Sequence, residues 1–299
     1  MSTRQSKKNT IHRFTLDHPR ATVQIIPMHI KNASERYIVK PGSKVKLNKI
    51  DTTDKSLYEG GKEHHHDELH ELREELREMQ NLLYAEGKQK LLVVIQAMDT
   101  GGKDGCVKTV FGRVDPQGIQ VHPFKKPSDE ELAHDFLWRI HQHVPANGMI
   151  SVFNRSHYED IIAVKVKKIL PESIWSNRYR HIVEFERMLA EEGTKIVKIF
   201  LHISKDEQKE RLQARLDDPG KHWKFNPEDL KDRAKWDYFM KEYENVLEKT
   251  STDEAPWFII PADRKWYRNL VVSQIIIDAL KSLNMNYPEI VWDPSKMKI

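Results

Sequence analysis

The sequence predicts an α/β fold in which a parallel sheet of five strands is covered by helices on both faces. Leu91-Leu92-Val93-Val94-Ile95 is an unbroken apolar run of strand length, as expected of a strand buried on both sides. Further strand candidates recur at 119–121, 149–153, 196–203 and 257–260 with helical periodicity between them, the alternation of βαβ units. A Gly-rich loop with a lysine stands directly after the first run, and Val107, Val110 and Phe111 follow it at helical spacing.

Residues 1–61 are polar and irregular, with Pro19, Pro27 and Pro41, and are expected to form an extended arm. Ile25, Ile26 and Val39 are its candidate contacts with the core. From 63 to 86, Leu69, Leu72, Leu76, Met79, Leu82 and Leu83 recur at steps of three and four among charges, which predicts an amphipathic helix. Ser128 with Glu131, and Ser204 with Glu207, read as capping boxes at helix starts. Gly193, after Leu189-Ala190-Glu191-Glu192, reads as a helix stop. The whole is expected as an arm at 1–61, one α/β domain at 62–290 and a tail at 291–299.

Composition narrows the function. The 299 residues are 38% hydrophobic, enough for one large core. With 49 Lys+Arg against 45 Asp+Glu the formal charge is +4, not the balance of a dedicated nucleic-acid binder. Any anionic partner must be held by local clustering. A single cysteine, Cys106, excludes an intrachain disulfide framework. The polar start and short apolar runs lead us to expect a cytoplasmic protein without a membrane span.

Three polar clusters fall where a parallel sheet delivers its ligands, beyond the carboxyl ends of the strands. The first is Asp99-Thr100-Gly101-Gly102-Lys103-Asp104-Gly105. Its glycines allow backbone N–H groups to approach phosphate oxygens, the following helix start adds its dipole, and Lys103 supplies a cation. Asp99 could hold Mg2+. The match to the usual phosphate-loop pattern is imperfect: Ala97 replaces the first Gly, and Asp104 replaces the metal-binding Ser or Thr. An ordinary Gly-Gly turn is the plainer alternative.

The second cluster is Asn154-Arg155-Ser156-His157-Tyr158-Glu159-Asp160. Arg155 suits phosphate, and Glu159 and Asp160 offer carboxylates for a metal or a nucleotide. A charged helix start is the alternative. The third, at 205–236, holds Arg211 and Arg215 four apart, then Asp218-Pro219-Gly220, Lys221, Trp223 and Lys224. Basic residues beside a Pro-Gly break suit a closing lid, although such segments are also ordinary solvated faces. His64, His65, His66 and His70 are read as exposed rather than metal-binding. Asp263, Lys265 and Arg268 are explained about as well by capping and surface charge.

Taken together, Leu82-Leu83-Tyr84-Ala85-Glu86-Gly87, residues 96–105, Val144-Pro145-Ala146-Asn147-Gly148, residues 153–160, Ile203-Ser204-Lys205-Asp206-Glu207-Gln208 and Pro261-Ala262-Asp263 resemble the family-2 polyphosphate kinases. The resemblance runs from about Tyr37 to Tyr287. It implies a P-loop kinase-like three-layer sandwich with a helical lid, and reversible transfer from inorganic polyphosphate to AMP and ADP. Mg2+ is implied, with Mn2+ substituting, as are adenine nucleotides, with guanine as a further base, and a homodimer or homotetramer.

By the resemblance, Asp99, Lys103, Arg155 and Arg215 are the catalytic set. Thr100, Gly101, Gly102, Gly105 and Arg211 join them around phosphate, and Lys221 and Lys224 line the chain channel. Asp104, Asn154, Glu159 and Asp160 face the nucleotide, with Asp99 and Glu159 at the metal. Asn154 and Asp104 stand where the diphosphate-specific branch carries Asp and Gly, so the chain resembles the branch that accepts nucleoside mono- and diphosphates. The rivals are an ATP-dependent nucleoside monophosphate kinase and a P-loop module binding nucleic acid. The latter would favour aromatics interleaved with the basic residues, and only Trp223 meets that description.

Overall fold

The computed structural model describes residues 30–297. Ile25, Ile26, Pro19 and Pro27 therefore lie outside the described residues. Five parallel strands form the sheet as expected: β2 (Lys90–Ala97), β3 (Ile119–Pro123), β4 (Ile150–Asn154), β5 (Thr194–His202) and β6 (Trp257–Pro261). The expectation of five strands needs one correction, because β1 (Ile38–Val39) adds a sixth. It lies in the supposed irregular arm and pairs antiparallel with β6, Ile38 opposite Phe258 and Val39 opposite Trp257. Two residues are too few to show a period of two. The strand order is β1-β6-β5-β2-β4-β3.

Burial explains why β2 is central. Leu91 to Ile95 are all 0% exposed, enclosed by β5 and β4 at the sides and helices above and below. The helices, in chain order, are α1 (Ala33–Tyr37), α2 (His65–Glu86), α3 (Lys103–Val110), α4 (Asp129–Ala133), α5 (Trp138–His141), α6 (Glu159–Val166), α7 (Glu172–Glu191), α8 (Lys205–Asp217), α9 (Glu228–Ala234), α10 (Trp236–Thr250) and α11 (Lys265–Lys281). The group α6, α7 and α10 packs together on one side, and α11 packs with α3 on the other. The apolar stripe of α2 lies over α11, so Leu69, Leu72, Leu76 and Leu83 are buried against a helix rather than the sheet. This double cover leaves α11 buried around almost its whole circumference.

The punctuation read from the sequence is largely present. Gly193, expected as a stop, lies beyond α7 with φ 81°, and Gly87, not anticipated in that role, closes α2 in the left-handed conformation with its N–H on the Leu83 carbonyl. The box at Ser128 is complete, with Glu131 N–H on Ser128 Oγ at 3.2 Å and Ser128 N–H on Glu131 Oε2 at 2.7 Å. The box expected at Ser204 is only half formed. Ser204 Oγ accepts from Glu207 N at 3.0 Å, but the Glu207 carboxylate binds Arg211 Nε at 2.6 Å. The Ser204 N–H goes instead to Asp263 Oδ1 at 2.8 Å, so tertiary partners win over the local motif.

The arm crosses the carboxyl edge of the sheet. Leu47 N–H donates to Glu244 Oε1 at 3.0 Å, and the Leu47 carbonyl lies 3.0 Å from His202 Nε2. Thr52 Oγ1 donates to Asp263 Oδ2 at 2.6 Å, and Tyr37 Oη is 2.7 Å from Tyr267 Oη.

Candidate active site

The loop between β2 and α3 is tight. A Cβ on Gly101 would sit 2.5 Å from Ala97 Cβ and 2.7 Å from the Met98 carbonyl, so only glycine fits. Gly102 has φ 93° and Thr100, without glycine's freedom, has φ 60°. Lys103 opens α3 with its side chain turned inward, Nζ donating to the carbonyls of Ala97 at 2.9 Å and Met98 at 3.3 Å. Burial pulls its pKa down, as does Arg155, while Asp99 and Glu159 oppose them.

The second cluster enters from β4, paired with β2 so that Asn154 lies opposite Ile95. Arg155 follows in the left-handed conformation, φ 64°, with its N–H on the Ile95 carbonyl at 3.1 Å. Its Nη2 reaches Asp99 Oδ1 at 2.7 Å. Asn154 Nδ2 donates to Asp104 Oδ1 at 2.7 Å. Two side-chain contacts therefore tie the loops after β2 and β4 together.

The lid comprises α8, a 3-10 turn at Pro219–Lys224, and α9. Arg211 is docked: Nη2 donates to the Ala262 carbonyl at 2.6 Å and Nη1 to the Thr100 carbonyl at 3.3 Å. Arg215 holds the lid to itself, with Nη1 on the Lys224 carbonyl at 2.9 Å and on Asp229 Oδ2 at 3.3 Å. Lys221 Nζ is 2.7 Å from Asp218, and Lys224 Nζ lies 4.9 Å above the Trp223 ring.

These elements enclose a cleft of about 560 Å³. It gathers Asp99, Thr100, Gly101, Gly102, Lys103, Asp104, Gly105, Asn154, Arg155, Arg211, Arg215, Lys221 and Lys224. Two of the site candidates in the second cluster, Glu159 and Asp160, are not brought to its wall. Asp160 is engaged by Arg139 Nη2 at 3.1 Å and Arg178 Nη1 at 3.7 Å. Glu159 stands behind Lys103 and Arg155, where burial raises its carboxyl against their pull. In the amide orientation that satisfies both of its ends, Gln96 donates to Glu159 Oε1 at 3.0 Å.

Other wall residues were missed or ranked low. Phe124 and Lys125 follow β3, Lys265 follows β6, and Asp229 comes from α9. Phe124 and Lys125 were legible in principle, because they occupy the same post-strand position as the first two clusters. Asp229 was not, since its place depends on how the lid folds back. Burial, then the nearby Asp99 charge, push its pKa up to about 6. The wall carries eight Lys and Arg side chains against three Asp, so the cleft favours a polyanion.

Among the described residues no group of three His, Cys, Asp or Glu gathers as a metal site. Asp99, Asp104 and Asp229 nevertheless present carboxylates to the cleft. Mg2+ is typically held by one or two carboxylates with substrate phosphates and water, and this donor set fits that habit. Of the histidines at the start of α2, His64, His66 and His70 are exposed as expected but His65 is buried; the His65 and His66 rings are tilted by 38° with centroids 3.9 Å apart, and His70 Nε2 faces Arg113 Nη1 at 3.0 Å. Cys106 is buried.

A family model described as Polyphosphate kinase 2 (PPK2) matches residues 59–288. The AMP/ADP-polyphosphate phosphotransferase of Meiothermus ruber is 52% identical over 255 residues, 85% of this chain and 96% of that one. The ADP-polyphosphate phosphotransferase of Rhodopseudomonas palustris is 44% identical, covering 87% of this chain and 94% of its own. The crystal structure of polyphosphate kinase 2 from Arthrobacter aurescens superposes with a TM-score of 0.85 at 45% identity, over 89% of this chain and 95% of that one. With the family model covering residues 59–288 and these relatives matched over nearly their full length, the chain belongs to the polyphosphate kinase 2 family.

Proposed function

We propose that this protein transfers phosphoryl groups reversibly between inorganic polyphosphate and adenine nucleotides, accepting both AMP and ADP. The observation that carries this reading is the cleft wall of eight basic side chains against three acidic ones, built around a phosphate loop. The name of the Meiothermus relative supports both acceptors, and so do Asn154 and Asp104, which are hydrogen-bonded to each other at 2.7 Å. Guanine nucleotides, a homo-oligomer and a cytoplasmic setting belong to the same proposal. Among the described residues no helix is long and apolar enough to cross a membrane.

The reaction requires two polyanions to be brought together in line, and a nucleotide phosphate oxygen is already anionic near neutral pH. Positioning and charge compensation therefore matter more than a general base. Lys103 and the loop N–H groups hold the transferred phosphoryl, Arg155 bridges toward the acceptor, and Arg215 with Lys221 and Lys224 covers the donor chain. Asp99, with Asp104 or Asp229 in reach of the cleft, would hold Mg2+ or Mn2+, which when bound spreads charge from the phosphate oxygens.

The test is to incubate the protein with AMP, long-chain polyphosphate and Mg2+ without ATP, and to resolve products over time. ADP followed by ATP is expected. Turnover only when ATP is supplied would instead make the protein an ordinary nucleotide kinase.

A further inference from the structure

A charged network lies behind the cleft and reaches none of its wall. Lys198, on β5, is 0% exposed and Glu186, on α7, is 1% exposed, and they meet at 2.5 Å. Lys198 Nζ also contacts Tyr158 Oη at 3.0 Å and the Thr250 carbonyl at 2.6 Å. Glu186 Oε1 accepts from Tyr158 Oη at 2.8 Å and from His157 Nε2 at 3.2 Å. Both of those donors are fully buried.

Taking two full charges out of water is costly, and apolar side chains of similar volume often serve stability as well or better. Stability alone is thus a poor reason for this pair. Its position suggests another, because His157 and Tyr158 come two and three residues after Arg155. Arg155 has φ 64°, and a non-glycine residue stays in that region only where its surroundings over-determine it.

The chain is pinned on both sides of that residue. Upstream, Arg155 N–H bonds the Ile95 carbonyl at 3.1 Å. Downstream, Ser156 Oγ accepts from Tyr158 N–H at 3.2 Å, and the His157 and Tyr158 side chains end on Glu186. Glu186 is in turn held by Lys198.

We propose that the Lys198–Glu186 pair, acting through Tyr158 and His157, is a positioning device that keeps the Arg155 guanidinium against Asp99 and facing the cleft. It rests on the phosphotransfer reading above for its consequence in turnover, but not for its geometry. None of the four residues lines the cleft; they act through the backbone of residues 155–158.

The test pairs an apolar replacement with a milder variant. Lys198→Met combined with Glu186→Met removes both charges at similar volume and is expected to remain folded, with kcat reduced about 10- to 100-fold, the loss a displacement near 1 Å can cause. KM for polyphosphate should stay within about twofold in the same variant, because the basic side chains assigned to the donor chain are untouched. Wild-type kcat in the folded double variant overturns the proposal.

If the double variant does not fold, Tyr158→Phe serves. Its kcat loss should not multiply with that of Arg155→Lys, since both act on one guanidinium. Multiplying losses overturn the proposal. A crystal structure of Tyr158→Phe separates this idea from the functional reading. Arg155 displaced from Asp99 supports the device even if the wild type makes no ADP from polyphosphate, whereas an unmoved Arg155 refutes it.

Discussion

Asp99 Oδ1 and Arg155 Nη2 meet at 2.7 Å, joining the loops that end β2 and β4. The arginine side chain is 42% exposed and the aspartate 22%, and pairs this open contribute little to stability. Both groups line the cleft, and under the proposed function an incoming phosphate would compete with Asp99 for the same guanidinium.

Replacing Arg155 should therefore separate activity from stability. Glycine at φ 64° relieves a left-handed strain of about 1–2 kcal/mol, roughly offset by the extra freedom it gives the unfolded chain. The Arg155→Gly variant is expected to keep its Tm within about 3 °C while kcat falls on the order of 10²-fold. Calorimetry beside a turnover assay checks this, and a variant that loses both in step contradicts it.

Lys103→Ala removes the loop cation and leaves the Ala97 and Met98 carbonyls without the donor that now reaches them. Turnover should drop by about 10²- to 10³-fold with the circular-dichroism spectrum unchanged. Near-normal turnover in a folded variant would refute the site assignment.

Asp229 gives a pH signature. Its folded pKa of about 6 is raised from 3.8, burial being the main cause. Between these values the folded state binds the extra proton, so stability declines as pH rises from about 4 to about 6 and the cost is fully present above that range. Asp229→Asn removes the cost. Its Tm should exceed wild type by a few degrees at pH 7.5 and match it near pH 4, as read by thermal scans at both values.

Chelation with EDTA should abolish phosphotransfer, and Mg2+ or Mn2+ should restore it. Asp99→Asn is expected to raise the Mg2+ concentration needed for half-maximal rate by about tenfold, the lower end of the loss when a supporting metal contact is removed. Titration of the rate with Mg2+ measures this. An unchanged requirement would move the metal to another carboxylate.

Asp263 couples the arm to the lid, accepting from Thr52 Oγ1 at 2.6 Å and Ser204 N–H at 2.8 Å. Asp263→Ala should cost about 1–3 kcal/mol and speed proteolytic cleavage between residues 205 and 235, detectable by mass spectrometry. Cleavage unchanged in rate would show that the lid stem is held elsewhere.

The legible parts of the fold are those that repeat. The apolar run at Leu91 to Ile95 and the stripe of Leu69, Leu72, Leu76 and Leu83 carry periods that sequence alone displays. So do clusters placed directly after strands, which is why Lys103, Arg155 and Asn154 converge as expected. What escaped depends on contacts distant in the chain: the two residues of β1, the Asp263 bond that displaces the second half of the Ser204 box, and Asp229 folded back over Arg215. Asp160 carried the right chemistry for a nucleotide contact, but Arg139 lies 21 positions away in the chain, and no local pattern announces that partner.

The short strand β1 has a practical bearing on how the protein can be cut. The family match begins at residue 59, so a fragment trimmed to that boundary would discard Ile38 and Val39 and bare the backbone edge of β6 beside Trp257 and Phe258. An uncovered apolar edge is a template for adding further chains. The same cut would strip Leu47 from Glu244 and Thr52 from Asp263, so the shortened protein should self-associate and lose its grip on the lid stem together.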